Sequence, residues 1–304
     1  MTSIVIPAHN EGRVIGRLLD ALLTEDPAST SASSAATAGL DIVVVCNGCT
    51  DDTAAVAGAR GPLVRVVEIP TPSKHTALRV GDEHARGFPR LYVDADVVVG
   101  AADVRALAGA LAAGPDLLAA APGRDIPLAG CAWPVRAYYR VWQLLPAVRE
   151  GLFGRGVIAV SEAGHARIAA LPPLMADDLA ASLAFAPEER RVVESARVAV
   201  HPPRTWGDLI RRRVRAATSS AELEHFQASR AAAPPDAPSE TAPPAPSART
   251  STSDLRALLR SRPQLLPGVV VFVVAAVAAR RGARKAIRTG DFSTWLRDES
   301  SRQG

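Results

Sequence analysis

Cysteine is scarce, lysine is nearly missing, and several short signatures that announce a function are absent from these 304 residues. Cys46, Cys49 and Cys131 are too few, and odd in number, for a disulfide framework, and no basic-then-apolar leader precedes the first strand-like run. A reducing cytoplasm is therefore the expected setting. Cys46 and Cys49 have C-x-x-C spacing, but no second such pair and no paired histidines accompany them to complete a zinc set. The six histidines include no H-E-x-x-H, and there is no G-x-S-x-G for a hydrolase triad. Neither G-x-G-x-x-G nor G-x-x-x-x-G-K-[ST] follows a strand-like run, which counts against a dinucleotide or P-loop cradle. With 35 Lys+Arg against 31 Asp+Glu the formal charge is +4, too mild to point to nucleic acid.

What remains is the composition of a globular protein, 48% hydrophobic and 22% charged, long enough for one large domain or two ordinary ones. Only Lys74 and Lys285 are lysines among the 35 basic residues. That arginine bias reads as the mark of a GC-rich genome, and it draws attention to each lysine kept, because a guanidinium does not replace a compact ammonium at a tight site. Two low-complexity stretches, 27–39 and 228–253, cannot bury enough apolar surface to order themselves. The first reads as a loop insertion. The second reads as a linker, dividing the chain into a domain at 1–227, a Pro/Ala/Ser-rich linker at 228–253 and a basic, apolar tail at 254–304.

Within the first part, strand-like runs at 3–7, 41–46, 64–69, 90–93 and 117–121 alternate with helical patterns at 11–23, from Thr50 or Asp51, at 75–85 and at 101–113. Nearly continuous apolar strands alternating with helices predict an α/β fold, an open and mostly parallel sheet covered on both faces. The beat weakens after Pro122, where the pattern predicts a helix over 135–148, a Gly-rich turn, a helix from Asp178, a strand over 191–200 and an Arg-rich helix from Trp206.

Ligands of such a sheet sit beyond the carboxyl ends of the strands. There the chain places His9-Asn10-Glu11, then Asn47-Gly48-Cys49-Thr50-Asp51-Asp52, then Lys74, then Asp94-Ala95-Asp96. Two carboxylates spaced i, i+2 at a strand end can face one crevice and share a hard divalent cation, Mg²⁺ or Mn²⁺, with phosphate oxygens. Such an ion would neutralise a departing diphosphate. In isolation a D-x-D is as well read as a solvated turn or helix cap.

The four segments IVIPAHNE (4–11), NGCTDDT (47–53), SKHTAL (73–78) and YVDAD (92–96) occur together in an order and spacing that resembles family 2 glycosyltransferases, through 1–217. The resemblance implies the GT-A fold, a nucleotide-diphosphate sugar donor and an acceptor hydroxyl on a glycan, lipid or small molecule, with inversion at the anomeric carbon. It implies that Pro7, Ala8, His9 and Glu11 belong to the loop against the base and ribose, and that Asp94, Ala95 and Asp96 form the D-x-D, Asp96 being the preferred metal ligand. Lys74 corresponds to a basic residue near the nucleotide. In the second loop, before Asn47, Cys46 stands where the family has an acidic residue that contacts the base.

The segment 154–161 resembles the family element that closes over the donor sugar, and Asp177-Asp178 falls at its acidic pair, with Asp178 expected as the general base. An Asp opening a helix is equally a common N-cap. Arg212 and Arg215 resemble the Q/R-x-x-R-W element, with Ala216 in place of the tryptophan, and are expected at the diphosphate or acceptor. Two other readings are a nucleotidyltransferase and a non-catalytic nucleotide-sugar-binding or membrane-scaffold protein.

The tail adds 265–279, an apolar run that as a helix would reach roughly 22 Å, against a hydrocarbon core of about 30 Å. Arg280, Arg281, Arg284, Lys285 and Arg288 follow at once, so 265–288 suits a segment at the inner face of a membrane. Packing on the domain is the alternative, and 269–274 is β-branched enough for a strand.

Overall fold

The computed structural model describes residues 1–24, 39–172, 177–231 and 250–289. Strands β1 (Thr2–Ala8), β2 (Leu40–Asn47), β3 (Val64–Ile69) and β4 (Arg90–Val93) pair in parallel, as the alternating pattern predicts. Three more, β5 (Ala119–Asp125), β6 (Val157–Val160) and β7 (Arg190–Ala199), complete a seven-stranded mixed sheet in the order β3-β2-β1-β4-β6-β5-β7. Every residue of β2 from Asp41 to Asn47 is buried, as a strand covered on both faces requires.

Side-chain alternation divides those strands between two cores. Ile4, Ile6, Ile42 and Val44 join Leu18, Leu19 and Leu22 of α1 (Ile15–Leu23) and Val104 and Leu107 of α4 (Ala101–Ala113). Each fully buried Ile or Leu there contributes ~1.5–3 kcal/mol. Val43 and Val45 point the other way, onto Ala77 of α3 (Lys74–His84). That helix lies so close to β1 that a Cβ on Gly81 would stand 2.2 Å from Val5 Cγ1.

Local chemistry moves several boundaries. The helix expected from Glu11 begins at Ile15, because the Glu11 carbonyl first accepts from the Val14 and Ile15 N–H groups in a turn. The helix expected from Thr50 or Asp51 is α2 (Thr53–Gly58), since the Asp51 carboxylate holds the Thr53 N–H at 3.1 Å and Thr50 is tied to Asn10. The strand expected at 117–121 runs on to Asp125, with a register shift between Pro122 and Gly123 against β7. The single helix expected over 135–148 is two, α5 (Trp133–Trp142) and α6 (Pro146–Glu150), because Pro146 lacks an N–H and suits only a helix start. Strand β6, antiparallel to both β4 and β5, stands in what the sequence presented as a Gly-rich turn.

Helices α7 (Glu162–Ala169) and α8 (Asp177–Leu183) precede β7, and α9 (Trp206–Ala231) follows it, running past the expected boundary at Gln227. Most of the expected linker, like the insertion at 27–39, lies outside the described residues. In the tail, α10 (Thr252–Ser261) leads to α11 (Leu266–Thr289), so 269–274 is helical and not a strand. One face of α11 packs on α5 and α9: Val269, Phe272 and Ala275 share a core with Val135, Tyr138, Tyr139 and Leu209. The Phe272 ring stacks on Tyr138 with centroids 5.2 Å apart.

Candidate active site

The loops at the carboxyl ends of β1, β2 and β3 are sewn together through one side chain. Asn47 Nδ2 donates to the Ala8 carbonyl at 2.8 Å, and Asn47 Oδ1 accepts from the Ser73 N–H at 3.1 Å. The Asn47 carbonyl lies 2.6 Å from His9 Nδ1, and Asn10, at φ 52°, accepts from the Thr50 N–H through its side chain. Glu11, buried, donates its N–H to Thr53 Oγ1. Of the residues expected against a base, His9 and Asn47 occupy this strand-end surface. Cys46 does not. Its register opposite Ala8 turns it into the core, where burial first, and Cys49 beside it, push its thiol up to about 12. The three cysteines are free thiols.

Beside that surface, at the end of β4, opens a crevice of ≈ 320 Å³ lined among others by Lys74, Asp94, Asp96, Asp178, His201, Arg212 and Arg215. Pro7, Ala8, His9, Glu11, Cys46 and Asn47 are not part of its wall. Lys74 opens α3, which Ser73 caps by accepting the Thr76 N–H at 3.2 Å, and its Nζ donates to Asp94 Oδ1 at 2.8 Å. Asp94 is fixed from the other side by β6, whose preceding residue Gly156 accepts the Asp94 N–H at 2.8 Å. Only glycine fits there: φ is +66°, and a Cβ would come within 2.5 Å of Val97 Cγ1. The β4–β6 pairing thus lays the 154–156 turn over the D-x-D, Ala95 being buried between the two carboxylates.

His201 reaches the same place from β7. Val98 and Ala199 form an antiparallel bridge with N–H···O distances of 3.0 and 2.8 Å. Two residues outward along each chain, that register sets Asp96 opposite His201. Burial, and then the charge of Arg17, lower the His201 pKa despite the opposing pull of Asp96, so the imidazole is neutral at neutral pH. Its Nδ1 is buried and has no hydrogen-bond partner among the described residues. The His201 carbonyl accepts from Arg212 Nη1 at 3.3 Å, which seats the first turns of α9 on the crevice. Burial, and then Arg212, lower the Arg215 pKa, while Asp94, Asp96 and Asp178 act in the opposite sense.

Asp178 lies across the crevice at the start of α8. Its Oδ2 accepts the Gly154 N–H at 3.0 Å and its Oδ1 the Leu179 N–H at 2.7 Å. Asp178 is thus the second residue of α8, not its N-cap, and it lines the crevice. The side chain of Asp177 lies outside the described residues. The 151–156 turn that holds Asp178 is braced by the half-buried Arg124 on the Gly154 carbonyl and the buried Arg155 on the Gly151, Pro122 and Arg149 carbonyls. From sequence, His201 before Pro202-Pro203 reads either as a structural histidine at a strand end or as an assistant near the donor phosphates, and nothing there singles out Arg213, Tyr138, Tyr139, Trp142 and Phe272, which also line the crevice.

The donor atoms suit a hard divalent ion. Among the described residues no three His, Cys, Asp or Glu side chains group into a full ligand set. Mg²⁺ and Mn²⁺ bound with a phosphorylated ligand take one or two carboxylates from the protein and complete their shell with phosphate oxygens and water. Asp96 and Asp94 are two carboxylates on the crevice wall with the chemistry for such an ion, and among the described residues the Nδ1 of His201 is a buried polar atom with no partner that a ligand would satisfy. Lys74, Arg212, Arg213 and Arg215 give the same crevice the positive charge that a diphosphate needs.

Comparison with known proteins agrees with this geometry. Residues 3–152, just under half of the chain, match the model of Glycosyl transferase family 2. A 112-residue stretch, 37% of the chain, is 36% identical to uncharacterized glycosyltransferases of Mycobacterium bovis and Mycobacterium tuberculosis. The match spans about half of those relatives, 49% of their length. Among solved structures, a mannosyltransferase from Pyrobaculum calidifontis in complex with GDP-Man and Mn²⁺ superposes with a TM-score of 0.56, covering 95% of this chain and 79% of that one at 20% identity. The fold is thus GT-A.

Proposed function

We propose that the protein is a glycosyltransferase that moves a sugar from a nucleotide-diphosphate donor to an acceptor hydroxyl, with a divalent ion and inversion at the anomeric carbon. The observation that carries this reading is the meeting of Lys74, Asp94, Asp96, His201, Arg212 and Arg215 with Asp178 in one crevice, from five separate stretches of chain. A nucleotide sugar and Mn²⁺, the pair bound by the mannosyltransferase of like fold, suit that crevice in charge.

The strand-end surface around His9, Asn47 and Ser73 receives the base and ribose, and the cations Lys74, Arg212 and Arg215 take the diphosphate. Mg²⁺ or Mn²⁺, held by Asp96 and Asp94 with His201 beside them, supplies charge neutralisation for the departing diphosphate. The acceptor oxygen forms its bond to the anomeric carbon as the bond to the diphosphate oxygen breaks, the electron pair leaving with the diphosphate. Asp178 takes the acceptor proton. Its hydrogen bonds from the Gly154 and Leu179 N–H groups hold it oriented for that task.

The test is nucleoside diphosphate release by the full chain with nucleotide sugars, Mn²⁺ and candidate acceptors. Asp178→Asn should keep donor affinity and lose about 10²–10⁴-fold in turnover. Unchanged turnover in that variant would remove Asp178 from the role of base.

A further inference from the structure

Helix α11 has two halves on one exposed stripe. Leu266, Val270, Val273, Val274 and Val277 are 40 to 55% exposed and recur at helical spacing. The same stripe continues as Arg280, Arg281, Arg284, Lys285 and Arg288, all exposed, with no acidic residue anywhere in the helix. The stripe is therefore apolar over its first half, about 16 Å along the axis, and cationic over the second. Trp133, on the helix that α11 packs against, is 61% exposed and adds a large ring of the kind that seats at a lipid interface.

We infer that this stripe docks on an anionic lipid bilayer, the valine half entering the acyl boundary and the arginine half meeting the headgroups. Charge chooses the occupant: a second copy of this chain would set the Arg cluster against another Arg cluster if parallel or against bare valines if antiparallel, neutralising it in neither case, whereas an anionic surface neutralises it. The opposite face decides the mode. The stretch Pro263–Lys285 is long and apolar enough to cross a membrane, but Val269, Phe272, Ala275, Ala279 and Ala283 are buried, and those of them nearest α5 share its core. Crossing would strip that face from the domain, so the helix lies on the membrane and does not span it. Phe272 also lines the crevice, so docking holds the candidate active site about one helix diameter, ~10 Å, from the lipid.

Co-sedimentation of the full chain with vesicles tests this, using phosphatidylcholine alone and phosphatidylcholine mixed with phosphatidylglycerol. The chain should pellet with the mixed vesicles, less so at high salt, and stay in solution with phosphatidylcholine alone. Arg280→Gln, Arg281→Gln and Arg284→Gln should each weaken binding about fivefold, and Val270→Asp with Val274→Asp should abolish it. Those side chains face solvent, so thermal melts should match the parent and separate lost docking from lost folding. No binding to the mixed vesicles, or full binding by the Val270/Val274 variant, would overturn the inference. So would a stable dimer in light scattering that the same variant dissociates.

Discussion

Asp41 and Asp178 both accept backbone N–H groups, at opposite ends of the sheet, and the difference in exposure sets their roles. Asp178 is exposed in the crevice, where a proton can reach it. Asp41 is buried at the start of β2, where it accepts from Ser3 Oγ at 2.8 Å, the Arg86 N–H at 2.9 Å and the Arg65 guanidinium. Burial alone would raise its pKa, but those hydrogen bonds outweigh it and hold the carboxyl below 3.8. A depressed folded-state pKa stabilises the protein above the unfolded value and ceases to do so as pH falls through the folded one. Asp41→Asn should therefore cost about 1–3 kcal/mol at neutral pH, and denaturant melts should show that difference shrinking once the pH drops below the ordinary carboxylate range. An equal gap at all pH values would contradict this. Single residues also mark how far the sequence can be read. Asn47 and Cys46 are neighbours in one candidate motif, yet strand parity sends the first to the strand-end surface and the second to the core. His201 reads locally only as a strand-end histidine with two possible roles, because Asp96 lies far off in sequence and is set opposite it through the Val98–Ala199 bridge.

At the scale of elements, the first four strands were legible because they are continuous apolar runs closed by polar loops. β6 was not, since Val157–Val160 is four residues long and follows directly on the Gly154-Arg155-Gly156 turn, and what makes it a strand is the edges of β4 and β5 on either side. Its position matters more than its length, for it brings Gly156 against Asp94. Gly156→Ala should pay ~1–2 kcal/mol for the left-handed backbone, plus the contact with Val97. Calorimetric titration should show weaker donor binding, and thermal melts lower stability. Retained donor affinity in a destabilised variant would mean that the 154–156 turn does not shape the Asp94 site.

For the whole molecule, the sequence suggested a domain, a linker and a tail that either meets a membrane or packs on the domain, because a Pro-rich stretch reads as a divider whatever the chain does beyond it. The packing of Phe272 on Tyr138 and of Val269 and Ala275 in the α5–α9 core makes α11 part of the body that carries the crevice. Phe272→Ala should cost about 3–5 kcal/mol in denaturant unfolding, whereas a tail independent of the domain would leave the main transition unmoved. The apolar run alone could not settle this, since both faces of the first half of α11 are apolar and only the folded neighbours show which is taken.

The central claim is that Asp94 and Asp96 hold a divalent ion through which a nucleotide-diphosphate sugar is bound. Calorimetric titration of the full chain with UDP-, GDP- and dTDP-sugars, with and without Mn²⁺, beside Asp96→Ala tests it most directly. The account predicts binding of one donor that requires Mn²⁺ and is lost in the variant. Equal binding without the metal, or by Asp96→Ala, or no binding of any donor by the folded protein, would contradict it.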